Sequence, residues 1–86
     1  MYEYPIDETW SIEEITDVIA LYNIVEKAYE EGIKRDDFMK AYRRFCEIVD
    51  AKSEQKRLDR AFEKASGYSI YRVFKACQKG DEHIHL

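Results

Sequence analysis

"SIEEITDVIALYNIVEKAYEEG", residues 11–32, decides how the chain is read. Ser11 followed three residues later by Glu14 is a capping box: the Ser11 hydroxyl accepts from the Glu14 amide, and the Glu14 carboxylate accepts from the Ser11 amide. Trp10 before the cap and Ile15 four residues after it suit a hydrophobic staple. Glu13, Glu14 and Asp17 fall near the positive end of the helix dipole, where carboxylates are favoured. Ile15, Val18, Ile19, Tyr22, Val25 and Tyr29 then recur every three or four residues, the spacing of one helical face. Leu21, Ile24 and Ala28 widen that stripe, so this helix is expected to touch more than one neighbour. Gly32 suits the left-handed residue that ends a helix.

The same signals recur downstream. A second helix is expected from about 35–37, with Asp36 and Asp37 in its first turn. Phe38, Ala41, Tyr42, Phe45, Ile48 and Val49 form its buried face, and Lys40, Arg43, Arg44 and Glu47 its wet face. Ser53 is the expected cap of a third helix over about 54–66, whose apolar stripe of Leu58, Ala61, Phe62 and Ala65 is narrow, and Gly67 stops it. Ser69 caps a fourth, shorter helix with Ile70, Val73, Phe74 and Cys77 on one face; Lys75 and Lys79 suit its end, and Gly80 closes it.

Upstream, residues 2–10 read as an extended arm, because Pro5 pushes Tyr4 away from helical angles. Tyr2, Tyr4, Ile6 and Trp10 are its expected anchors. No stretch alternates with period two. The expectation is therefore all-α: a small four-helix bundle or irregular helical array with an extended N-terminal arm. Residues 1–80 make a single helical domain, and residues 81–86 a flexible, polar C-terminal tail.

Composition agrees. Eighty-six residues make one domain, and 45% apolar with 14% aromatic residues can fill its core. Charged residues at 37% with three glycines and one proline fit helices with solvated faces. Cys46 and Cys77 both fall in apolar helical patterns and read as buried free thiols of a reducing cytosol, with no CxxC spacing for zinc. No run approaches ~18 apolar residues, and the acidic N-terminus lacks the pattern of a signal peptide. A cytoplasmic location is expected.

The charge is unevenly spread. Residues 1–31 carry nine acids against Lys27, a net of −8, whereas residues 34–79 carry thirteen bases against seven acids, a net of +6. Such an asymmetry can steer a charged partner, pair the halves with each other, or pair with a second copy.

Catalytic groups are sparse. His83 and His85 are the chain's two histidines, and both sit in the tail, where a base is not held in reach of a nucleophile. Glu13 with Asp17, and Glu26 with Glu30, share helix faces as solvated pairs do, and there is no glycine-rich phosphate loop. The expectation is no enzyme, no cofactor and no metal. The basic groups remain: Arg43 and Arg44 on helix two, and Lys56, Arg57, Arg60 and Lys64 on helix three, interleaved with Glu54, Asp59 and Glu63. In "SGYSIYRVFKAC", residues 66–77, Tyr68, Tyr71 and Arg72 either form a recognition strip or brace the corner between two helices. The candidate partner-binding set is Arg43, Arg44, Arg57, Arg60, Lys64, Tyr68, Tyr71 and Arg72, which would meet an acidic protein partner. The alternative is a nucleic-acid-associated protein using the basic face of helices two and three, which would bind with steep salt dependence. The broad stripe on helix one leaves apolar surface that a homodimer could bury, so monomer and homodimer both stay open.

The pieces "YPIDETWSIEEI", "VEKAYEEGI", "AYRRF" and "FEKASGYSIYRVFKA", taken in order from about residue 2 to 76, resemble the YktA-like family of small uncharacterised proteins from Bacillus and other Firmicutes. The resemblance implies an all-α fold and a Firmicute origin. It implies no catalytic residues.

Overall fold

The capping box forms as expected and sets where α1 (Ile12–Glu30) begins. The Glu14 amide donates to Ser11 Oγ at 3.1 Å and the Ser11 amide to Glu14 Oε1 at 2.8 Å. The structure, a computed structural model, describes residues 3–86; the expected anchor Tyr2 lies outside the described residues. Val18, Leu21, Tyr22, Val25 and Ala28 of α1 are buried, so the helix is the spine of the core. Gly32, at φ +95°, turns the chain into β1 (Ile33–Lys34).

α2 (Arg35–Ile48) follows at once and makes the most extensive packing with α1, through buried Phe38 and Phe45 and half-buried Ala41, Tyr42 and Ile48. α3 (Lys52–Ser66) starts earlier than expected: Ala51 is the cap residue, and Ser53 lies inside the first turn with no capping role. The reason is the short connection. The Glu54 and Gln55 amides already donate to Ala51 O at 3.1 and 3.0 Å, and the Gln55 side chain donates to Val49 O at 2.7 Å. The stripe of α3 is also narrower than expected, with Leu58 and Phe62 buried but Ala61 and Ala65 exposed. α4 (Ile70–Gln78) buries Ile70, Val73 and Cys77, and Ser69 caps it by accepting from the Arg72 amide.

Stacked rings join these elements. Tyr22 on α1 stacks on Phe62 of α3 with centroids 4.6 Å apart, and Tyr4 of the arm stacks on Tyr22 at 5.4 Å. Tyr42 of α2 stacks on Phe74 of α4 at 4.7 Å. Such pairs add about 0.5–1.5 kcal/mol each beyond area burial. The arm is further tied down by Tyr22, whose hydroxyl donates to Pro5 O at 2.7 Å, and by Tyr4, whose hydroxyl donates to Glu26 Oε1 at 2.7 Å and lies 2.9 Å from Asn23 Oδ1. Ile6 is no anchor: it stays 47% exposed.

The segment 81–86, expected as a flexible polar tail, carries the second strand. β2 (His83–Ile84) pairs antiparallel with β1 in the register Ile33 to Ile84 and Lys34 to His83. The Arg35 amide donates to Glu82 O and the Leu86 amide to Ala28 O, each at 2.8 Å, and Ile84 is buried. A buried isoleucine and satisfied backbone groups hold the segment against the start of α2 and the end of α1. The architecture is a mostly helical globule of four helices, a two-strand sheet and an N-terminal segment packed before the first helix.

Candidate interaction surface

The α3–α4 corner is built from the residues that the sequence left open. Gly67, at φ +84°, ends α3 in the left-handed conformation, and the chain turns within three residues into α4. That turn brings the start of α4 onto Asp59, one face of α3. The Ile70 amide donates to Asp59 Oδ1 at 2.7 Å, Ser69 Oγ donates to Oδ2 at 3.0 Å, and the Tyr71 amide reaches Oδ2 at 3.3 Å. A carboxylate thus sits at the positive end of α4 and satisfies amides that the helix leaves without partners.

The two tyrosines of the corner part company. Tyr68 stacks on Tyr29 of α1 with centroids 4.5 Å apart, and its hydroxyl donates to Glu30 at 2.8 Å. That hydrogen bond raises the Tyr68 pKa above the ordinary phenol value, with burial adding to it. Tyr29 in turn accepts from the Ser69 amide at 3.2 Å. Tyr68 is a brace between α1 and the corner. Tyr71 points outward, 59% exposed, with Lys75 Nζ 6.0 Å from its ring centre.

The candidate basic residues do not share one face. Arg43 and Arg44 border a shallow groove between α1, α2 and the sheet. Arg60, Arg72 and Tyr71 border a second groove, about 650 Å³, between α2, α3 and α4. Arg57, Lys64 and Tyr68 line neither. Three of the set are already paired: Arg44 with Asp17 at 2.8 Å, Arg57 with Glu54 at 2.6 Å, and Arg72 with Glu63 at 3.9 Å. Arg57 holds the Glu54 carboxyl below its usual range by that hydrogen bond. Arg43, Arg60 and Lys64 are exposed and enter no ion pair among the described residues.

The α2–α3–α4 groove has the more organised chemistry. Its floor is apolar, from Tyr42, Phe45, Ile70 and Phe74. Burial, with Cys46 beside it, pushes the Tyr42 hydroxyl up to about 12. Its rim carries Lys52, Lys56, Arg60 and Arg72 against Asp59 and Glu63. Asp59 faces the α4 amides and Glu63 pairs with Arg72, and the four bases outnumber the two acids, so the rim is positive on balance. Lys52, Lys56 and the ring of Phe74 are members that sequence reading did not put in the set. Lys52, Lys56 and Arg60 stand four residues apart, and that interval was the available signal. Among the described residues no group of three or more His, Cys, Asp or Glu is placed to hold a metal ion, and no helix is long and apolar enough to cross a membrane.

These features define a class: a small helical domain with open, basic-edged surface grooves. The chain belongs to the uncharacterised protein family UPF0223, whose model matches residues 1–85. Among its relatives is the UPF0223 protein YktA of Bacillus subtilis, 50% identical over 80 residues, covering 93% of this chain and 91% of the relative. A UPF0223 protein of Oceanobacillus iheyensis is 49% identical over 81 residues, covering 94% and 92%. One of Staphylococcus aureus strain Newman is 56% identical over 72 residues, covering 84% and 79%. The YktA-like, Firmicute resemblance read from the sequence is thereby met.

Proposed function

We propose that this chain is a non-enzymatic protein-interaction or adaptor domain of the cytoplasm, and that the α2–α3–α4 groove receives an acidic segment of a protein partner. One observation carries this reading: an apolar floor is edged by Lys52, Lys56 and Arg60, while Asp59 is turned to the amides of α4 and Glu63 to Arg72. Apolar contact then supplies affinity, and the basic edge supplies orientation and encounter rate. Exposed Tyr71 at the mouth is the kind of amphipathic aromatic that interfaces favour.

The test places a photo-crosslinking side chain at position 71 in the native cytosol, with and without nuclease, and identifies adducts by mass spectrometry. The purified adduct partner is then titrated against wild type and a Lys56→Glu, Arg60→Glu double variant. Binding weakened by about tenfold or more, roughly 1.4 kcal/mol, with unchanged helical circular dichroism, supports the reading. Equal binding by the double variant refutes the groove assignment. Adducts that vanish on nuclease treatment refute a protein partner and point to nucleic acid.

A further inference from the structure

The groove has a complement on the same chain. Among the described residues four large apolar side chains are exposed, and the two most exposed of them are Ile12 at 84% and Tyr71 at 59%. Tyr71 stands at the basic groove. Ile12 stands at the first position of α1, inside the acidic segment. Nothing in the local fold calls for an isoleucine there: the helix start is satisfied by the Ser11–Glu14 box. Around Ile12, Glu14 is committed to that box and Asp7 to Thr9. Glu8 and Glu13 are exposed and unpaired among the described residues. An apolar knob flanked by two carboxylates matches an apolar floor flanked by Lys52, Lys56 and Arg60.

We infer that the α2–α3–α4 groove takes the acidic start of α1 from a second copy of this chain, in a reciprocal two-fold dimer. The inference rests on reading the groove as an interaction surface and names its occupant. Ile12 belongs to neither the core nor its half-buried margin, so the chain does not seat this segment in its own groove. Both halves of the match are present in every copy in equal number. Reciprocal exchange forms the same contact twice, which is how a two-fold interface makes two small patches sufficient. Charge pairs at its edge make the association weaken with salt.

Sedimentation velocity of the full chain, from low micromolar to near millimolar at low and high salt, tests the inference. Two variants probe the two sides: Ile12→Ser, at an exposed position where serine is tolerated, and Arg60→Glu, on the exposed face of α3. A monomer–dimer equilibrium is expected that weakens with salt. Each variant is expected to weaken self-association by about tenfold or more. A monomer at every concentration, a dimer indifferent to both variants, or species beyond the dimer would each overturn it. A strict monomer that still yields a groove-dependent partner at position 71 defeats this inference and leaves the proposed function standing. A variant-sensitive dimer without such a partner does the reverse.

Discussion

Asp59→Ala separates a residue that looks like surface decoration from one that holds an element in place. The carboxylate accepts from the Ile70 amide at 2.7 Å and the Ser69 hydroxyl at 3.0 Å, with the Tyr71 amide more weakly engaged at 3.3 Å. Loss of a capping acceptor costs about 1 kcal/mol, with a range of about 0.5–2. Loss of an anion at the positive end of a helix costs a further 0.3–1 kcal/mol or so. Ile70 is buried, so its stranded amide is poorly reached by water, which places the capping cost toward the upper end of its range. The Ser69 hydroxyl still accepts from the Arg72 amide, so the cap is not abolished. The sum is about 2–3 kcal/mol. For a domain of this size about 1 kcal/mol moves the midpoint by roughly 4–8 °C, so Tm should fall by roughly 10–20 °C.

Asp59→Asn keeps an acceptor for the Ile70 amide and removes the charge, so it should cost about 1 kcal/mol or less. Urea unfolding of the three proteins by circular dichroism, at constant slope, measures the differences. Hydrogen exchange should show the amides of 70–73 losing protection before those of α1. An Asp59→Ala protein within about 0.5 kcal/mol of wild type, the usual spread of inert surface changes, would refute the reasoning and return Asp59 to the solvated face.

Ile84→Ala should cost about 2 kcal/mol, the lower end of the range for a buried isoleucine because a chain end relaxes easily; equilibrium unfolding reads it. Gly32→Ala should cost about 1–2 kcal/mol from its φ of +95°, and a second change of His83→Ala should not restore it, although an added Cβ would lie 2.5 Å from His83 Nε2. Burial, with Glu30 adding to it, raises the Glu26 pKa above its ordinary value, so the folded state holds that proton more tightly than the unfolded chain. Its contribution is full below the unfolded value and falls as pH rises through the folded one; Glu26→Gln should therefore gain on wild type between about pH 4.3 and neutrality, read as the difference in Tm across that interval.

Local signals made the helices legible. The Ser11–Glu14 box, the glycine stops and the three-to-four spacing of α1 and α2 each need only neighbours within a turn or two. What failed to show was set by distance along the chain. Asp59 reads as one of several mixed charges around α3, because its partners lie ten to twelve residues on and reach it only once Gly67 has reversed the chain. β2 is two residues long, too short for alternation to register, and its partner β1 stands fifty residues earlier in the register Ile33 to Ile84. Tyr68 and Tyr71 look equivalent in sequence. One precedes the Ser69 cap and folds back on Tyr29, the other follows it and turns outward. The candidate set was legible as basic residues but not as a surface, since helices two and three deliver their bases to different grooves.

That division bears on what the charges are for. The ion pairs of Arg44, Arg57 and Arg72 are all partly exposed, and pairs of that kind contribute about 0–1 kcal/mol each. The fold rests instead on the stacks of Tyr22 with Phe62 and Tyr42 with Phe74, on buried Ile84, and on Asp59 at the head of α4. Lys52, Lys56, Arg60, Glu8 and Glu13 belong to neither group, so the fold does not account for the asymmetry they create. Substitutions at Lys56 and Arg60 therefore change the field of the groove while the core stays as it is, and a change in association on making them reports on binding.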